Sequence, residues 1–111
     1  MADHYYDSAD LGRFSEIGKN SPALAAKFFE WYGAVFADGA LSAREKSVIA
    51  LAVAHAVQCP YCIDAYSRDA LEKGADLDQM TEAVHVAAAI RGGASLVHGV
   101  QMRGHAAKVA M

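Results

Sequence analysis

The sequence predicts an all-α protein of about six helices, folded as a single domain over residues 1–111 and assembled as a homo-oligomer. Three observations carry that expectation. No segment alternates apolar and polar residues as a half-buried strand would. Apolar residues instead recur at three- and four-residue steps, between residues that start and stop helices. Finally, 54% of the residues are hydrophobic and Ala is abundant, which suits closely packed helices with apolar surface left for partner subunits.

Taken in order, residues 1–7 are polar and aromatic and read as an arm, with Tyr5 and Tyr6 available to dock on a neighbour. Together with the next element they form an N-terminal unit over residues 1–20. Asp7 or Ser8 caps a short helix over roughly 9–18, where Leu11, Phe14 and Ile17 fall at three-residue steps and Gly18 suits the exit. Ser21-Pro22 is a stronger start, a capping hydroxyl followed by proline at the first helical position. It opens a helix to about residue 37 that carries Leu24, Phe28, Trp31, Val35 and Phe36. Ser42-Ala43-Arg44-Glu45 fits a capping box for a buried helix over roughly 43–57. Cys59-Pro60 places Cys59 at the cap of a helix from 60 to 73, closed by Gly74. Asp76-Leu77-Asp78-Gln79 starts another over about 77–91. Gly92-Gly93 is expected to break it, leaving a last helix from 94 to about 109.

Charge and patterning exclude several classes. A net charge of −3 leaves no basic footprint for nucleic acid. No run of about 18 apolar residues offers a membrane span. The N-terminus has neither the basic start nor the apolar stretch of a signal peptide. The expected compartment is the cytoplasm, where structural disulfides are rare and a C-x-x-C pair points to redox or metal chemistry.

That pair is Cys59 and Cys62, the chain's two cysteines. A thiolate is the attacking species, and a free thiol titrates at about 8.5 unless its surroundings favour the anion. A helix start supplies unpaired N–H groups and a positive dipole end. One thiolate can then attack a peroxide bond to give a sulfenic acid, the other can condense with it to a disulfide, and a reductant can reopen the pair. Ser47, Leu51, His55, Cys59, Cys62 and Tyr66 would form one stripe on continuous helix, with a bend at Pro60. His55 is the best base on it, Tyr66 can orient a proton or a water, and Glu45 can reach inward through a water or from another subunit. Each has a plainer alternative: His55 as a core histidine bonded to backbone, Tyr66 as a packed aromatic, Glu45 as the capping-box carboxylate. His85 and His98 read as interior or interface histidines. With no second C-x-x-C and no paired histidines, neither a metal nor a cofactor is expected. Cys-Pro-Tyr-Cys is also the tetrapeptide typical of glutaredoxins, but they place it after a strand, and none is predicted here.

A wider resemblance covers about residues 39–102. Gly39-Ala40-Leu41-Ser42-Ala43-Arg44-Glu45-Lys46, Ile49-Ala50-Leu51-Ala52-Val53-Ala54 and Cys59-Pro60-Tyr61-Cys62, continued by Gly74-Ala75-Asp76 and Gly92-Gly93, resemble the AhpD-like alkylhydroperoxidase group of the carboxymuconolactone decarboxylase superfamily. Met80-Thr81-Glu82-Ala83-Val84-His85-Val86 and Ile90–Gly99 look like the peroxidase-like proteins associated with arsenosugar biosynthesis. The resemblance implies a helical fold in trimers or hexamers, and thiol-dependent reduction of hydroperoxides served by a thiol/disulfide reductant protein. It implies Cys62 as the peroxide-attacking thiol and Cys59 as its resolving partner. The group's usual relay glutamate and histidine fall on Ser47 and Tyr66, so Glu45 and His55 are the replacements expected here. A non-redox lyase of the decarboxylase branch, or a dithiol carrier of a metalloid, is the alternative function.

Overall fold

A computed structural model describes residues 6–110, all helix and connecting turns, with no strand among the described residues. Tyr5 and the rest of the expected arm before Tyr6 lie outside them. A 3-10 helix runs Ser8–Lys19 and is followed by four α-helices: α1 (Pro22–Phe36), α2 (Ala43–Ala56), α3 (Pro60–Glu72) and α4 (Leu77–Ala110). The three-residue spacing of Leu11, Phe14 and Ile17 matches the three-residue turn of a 3-10 helix rather than an α-helix. Asp7 caps it, its Oδ1 accepting the Ala9 N–H at 3.0 Å. Gly18 lies inside this helix and not at its exit. A Cβ there would stand 3.0 Å from Ala25 Cβ, so glycine lets the 3-10 helix and α1 approach closely.

The expected caps position the remaining helices. Pro22 opens α1 after Ser21, although the Ser21 hydroxyl makes no capping bond. Ser42 and Glu45 form a complete capping box on α2, with Ser42 Oγ accepting from Glu45 N at 3.0 Å and Glu45 Oε1 accepting from Ser42 N at 2.9 Å. Asp76 and Gln79 make the same reciprocal pair before α4, at 2.8 and 3.0 Å. Gly74, with φ of +92°, turns the chain out of α3 while the Ala75 N–H reaches back to Ala70 O.

The expected break at Gly92-Gly93 does not occur. Residues 77–110 form one helix of 34 residues, about 51 Å long at 1.5 Å per residue. Each glycine costs about 1 kcal/mol relative to Ala in a helix interior. That is a weakening and not a stop unless the chain leaves in the left-handed region, and only Gly74 does so among the glycines.

Helices α2 and α3 form an antiparallel hairpin, and the first half of α4 runs parallel to α2. Arg44 donates to Gln79 Oε1 at 2.9 Å near the start of both helices, and Arg91 donates to Ala56 O where α2 ends. Between them sits a small core of Leu51, Ala70, Ala75 and Met80, with Val48 and Tyr66 packed on it. Beyond residue 87 no side chain of α4 is buried, and Ile90, Leu96, Val97 and Val100 are each about two-thirds exposed or more. The radius of gyration is 18.9 Å, against about 13 Å for a compact chain of this length.

Candidate dithiol site

The site begins with how α2 ends. The Gln58 N–H bonds His55 O at 3.2 Å, and the Cys59 N–H reaches back to Ala54 O at 3.0 Å. This is a Schellman closure with Gln58 in the left-handed region at φ 57°, where glycine is usual. The next residue is already the cap of α3. Cys59 therefore ends one helix and starts the next, and its Sγ accepts the Cys62 N–H at 3.3 Å. Pro60 follows at the first helical position, where no N–H is needed.

Both cysteines are free, half-buried, and have sulfurs 2.8 Å apart. A disulfide is 2.03–2.05 Å long, so bond formation asks for a movement under about 1 Å. Burial pushes the Cys62 thiol up to about 11, and its hydrogen bond with Cys59 and the Cys59 charge push in the same direction. Those last two causes favour a proton kept between the sulfurs over loss of both.

Two cavities meet at Cys62. One, of about 420 Å³, is lined by Val35, Phe36, Ile49, Val53 and other apolar side chains, with Lys46 its one charged residue. The other, of about 310 Å³, exposes both Cys59 and Cys62 and is covered by Asp10, Leu11 and Phe14 of the 3-10 helix. Tyr32 and Tyr66 line both, and their hydroxyls hydrogen-bond to each other between α1 and α3. The Tyr66 ring stacks on Phe36 with centroids 5.1 Å apart, and burial, then the Tyr32 hydroxyl, raises its phenol well above the ordinary value. The N-terminal segment is fastened across the dithiol. Tyr61 OH donates to Asp10 at 3.0 Å, Tyr6 OH donates to Asp64 at 2.5 Å, and the Tyr6 and Tyr61 rings meet edge to face at 4.7 Å. Tyr6 thus docks on its own chain.

The other expected site residues divide. Tyr66 lies beside Cys62. His55 is half-buried, with Nδ1 2.8 Å from Leu51 O, and lines neither cavity. Glu45 is exposed at the start of α2, its carboxyl held low by the Ser42 backbone and hydroxyl bonds of the capping box. Within one chain the fold brings neither to the sulfurs. Ser47 is wholly buried and its hydroxyl meets no partner at hydrogen-bonding geometry. It still lies near enough to Asp69 to act on it: burial pushes that carboxyl up, and the Lys73 ammonium and the Ser47 hydroxyl together outweigh burial and hold it low. His85 and His98 are exposed in the single chain, with His98 Nδ1 2.7 Å from Ala94 O. No cluster of three or more metal-ligating side chains exists among the described residues.

Residues 22–102 match the carboxymuconolactone decarboxylase family, and the chain belongs to that family. It is 44% identical over 91 residues to a Paracoccus denitrificans protein described as "uncharacterized protein 4 in cox locus", a match covering 82% of this chain and 79% of that one. Among solved structures, a protein from Methanobacterium thermoautotrophicum superposes with a TM-score of 0.73 at 33% identity, over 76% of this chain and 94% of the other. A carboxymuconolactone decarboxylase family protein from Legionella pneumophila, in its apo form, superposes with a TM-score of 0.69 at 31% identity, over 84% of each chain. Among the described residues no helix is long and apolar enough to cross a membrane.

Proposed function

We propose that the protein is a thiol-dependent peroxidase of the AhpD-like kind, which reduces hydroperoxides through a Cys59–Cys62 dithiol/disulfide cycle. The observation that carries this reading is the 2.8 Å approach of two free sulfurs at a helix start, beside an apolar cavity. Cys62 borders both cavities and Cys59 only the covered one, which favours Cys62 as the sulfur that meets an organic hydroperoxide. Cys59 Sγ donates to Cys62 Sγ at 2.8 Å, so the proton the pair shares sits on Cys59 when Cys62 is the thiolate. The Cys62 thiolate then attacks the terminal peroxide oxygen, the O–O bond breaks, and an alkoxide leaves to be protonated to the alcohol. The Cys59 thiolate attacks the sulfenic sulfur, the S–O bond breaks, and hydroxide leaves as water. Two electrons pass from the sulfurs to the peroxide, and a thiol/disulfide reductant restores the pair. Such chemistry belongs in a reducing compartment, and we place the protein in the cytoplasm, as a homo-oligomer built through the unpartnered half of α4.

The test is a free-thiol count with intact mass on reduced protein, before and after one equivalent of an alkyl hydroperoxide. Loss of two thiols and two mass units, abolished in Cys59→Ser and in Cys62→Ser, is the expected result. Survival of both thiols would sink the proposal. The same pair of sulfurs also favours a second reading, in line with the arsenosugar-associated resemblance: a dithiol carrier of trivalent arsenic. Stoichiometric arsenite binding without peroxide turnover would select it. Product formation retained in a double Cys→Ser variant would instead select non-redox decarboxylase-type chemistry.

A further inference from the structure

We infer that Tyr66 and Tyr32 together replace the missing imidazole as a neutral proton donor at Cys62, with Tyr66 giving the proton and Tyr32 positioning and supporting it. The inference rests on the peroxidase reading above. Alkoxide is a poor leaving group, so a donor near the breaking O–O bond should lower the barrier, and general acids of this kind contribute about 10²–10⁴-fold.

The geometry supplies such a donor. Tyr66 lies one helical turn after Cys62 on α3 and shares the lining of both cavities with it. Stacking on Phe36 fixes the ring, and the hydroxyl–hydroxyl bond to Tyr32 ties its end to α1. Two phenols that share one hydrogen bond still hold one further O–H for a third partner. Either hydroxyl can donate within the pair. In the reactive arrangement Tyr32 donates to the Tyr66 oxygen, leaving the Tyr66 proton for the departing oxygen and stabilising the phenolate that results. Burial keeps Tyr66 protonated through the physiological range, so it acts as a donor and not as a base. His55 and Glu45, engaged elsewhere in the chain, leave this role open.

The steps balance. The Cys62 thiolate bonds to the terminal oxygen as O–O breaks, and Tyr66 O–H passes its proton to the alkoxide to give the alcohol. The Tyr66 phenolate next takes the proton that Cys59 carries, directly or through water. Cys59, now a thiolate, closes the disulfide and expels hydroxide, which takes a proton from solvent.

The experiment compares two oxidants in single-turnover oxidation of the dithiol. An alkyl hydroperoxide needs a proton on its leaving oxygen, whereas a peracid releases a stable carboxylate and needs little help. Tyr66→Phe keeps the ring and its stack. It is expected to slow the alkyl hydroperoxide by about 10²-fold and the peracid by less than about 3-fold. Tyr32→Phe should show the same selective loss at about 10-fold, and the double variant should be no worse than Tyr66→Phe alone, since the two act as a unit. Equal losses with both oxidants, or no loss with either, would overturn the inference while leaving the peroxidase reading intact. Failure of the unaltered protein to lose thiols to the hydroperoxide would remove that reading, and this inference with it.

Discussion

Replacing Cys59 with Ser tests the shared proton directly. In the native pair the Cys62 thiol is pushed up to about 11, first by burial and then by the hydrogen bond and charge of Cys59. At pH 7 a thiol titrating there is ionised in about 1 molecule in 10⁴. The variant removes the sulfur and its charge but keeps an oxygen that caps α3 well. Burial, the largest cause, then remains to raise Cys62, so its titration should fall below about 11 while staying above that of an ordinary thiol. Each unit of that fall gives about tenfold more thiolate at neutral pH. The assay is the pH dependence of Cys62 alkylation by iodoacetamide, assigned by peptide mass and checked by ultraviolet thiolate absorbance. In the native protein the rate assigned to Cys62 should keep climbing with pH until about 11, and in the variant it should level off earlier. A Cys62 that titrates unchanged or higher in Cys59→Ser would refute the idea that the sulfurs hold a proton in common.

Four other expectations follow from the same geometry. Gln58→Gly relieves a left-handed residue, which costs about 1–2 kcal/mol, although glycine's unfolded freedom takes back part of it. A net gain of about 0.5 kcal/mol and a rise in Tm of about 2–4 °C should appear in thermal melts, and a lower Tm would show that the Gln58 side chain contributes more than its backbone costs. Glu45→Gln should leave peroxide kinetics unchanged, while Ser42→Ala should cost about 1 kcal/mol in denaturant unfolding. Because the Glu45 carboxyl is held low, its contribution to folding is present above the ordinary carboxylate range and lost as pH falls through its depressed value. Tyr6→Phe and Tyr61→Phe each cut one bond fastening the N-terminal segment, and Cys59 alkylation should quicken several-fold. The Tyr6 phenol is raised to about 12 by its bond to Asp64, so in the native protein this fastening is complete below the ordinary tyrosine range and lost only as pH rises toward 12. Finally, native protein should sediment as a homo-oligomer, and Val97→Asp with Val100→Asp on the exposed half of α4 should shift it toward monomer; a native monomer at micromolar concentration would refute the assembly.

Legibility in the sequence followed how local each cause was. The Ser42–Glu45 and Asp76–Gln79 boxes, Pro22, the Cys59-Pro60 start and the Gly74 stop all act within a few residues, and all are where the sequence indicates. Gly92-Gly93 misleads because a glycine ends a helix only where the chain leaves in the left-handed region, which Gly74 does and these two do not. The stripe from Ser47 to Tyr66 is real on each helix, but the chain folds back at Gln58, ahead of Pro60, so that Leu51 and Ala70 meet in one core with Tyr66 packed on it. Tyr32 stands among the aromatic residues of α1, and nothing in its spacing says that its hydroxyl finds Tyr66. The Tyr61–Asp10 and Tyr6–Asp64 bonds span 51 and 58 residues and are likewise tertiary facts. A relay drawn from Glu45 and His55 follows from residue chemistry alone, and the fold assigns both side chains to backbone partners.

The joint at Cys59 has a mechanical consequence. Its backbone N–H is tied into the closing turn of α2, its carbonyl accepts the Ile63 N–H at 2.9 Å, and Cys62 is held inside the first turn of α3. The sulfurs can therefore bond and part by side-chain rotation on a stationary backbone. Under the proposed dithiol cycle, a centre built this way makes a poor messenger, because its oxidation state is barely written into the shape of the chain. It makes a good exchanger for the same reason: each turnover of that cycle leaves the helices where the next one needs them.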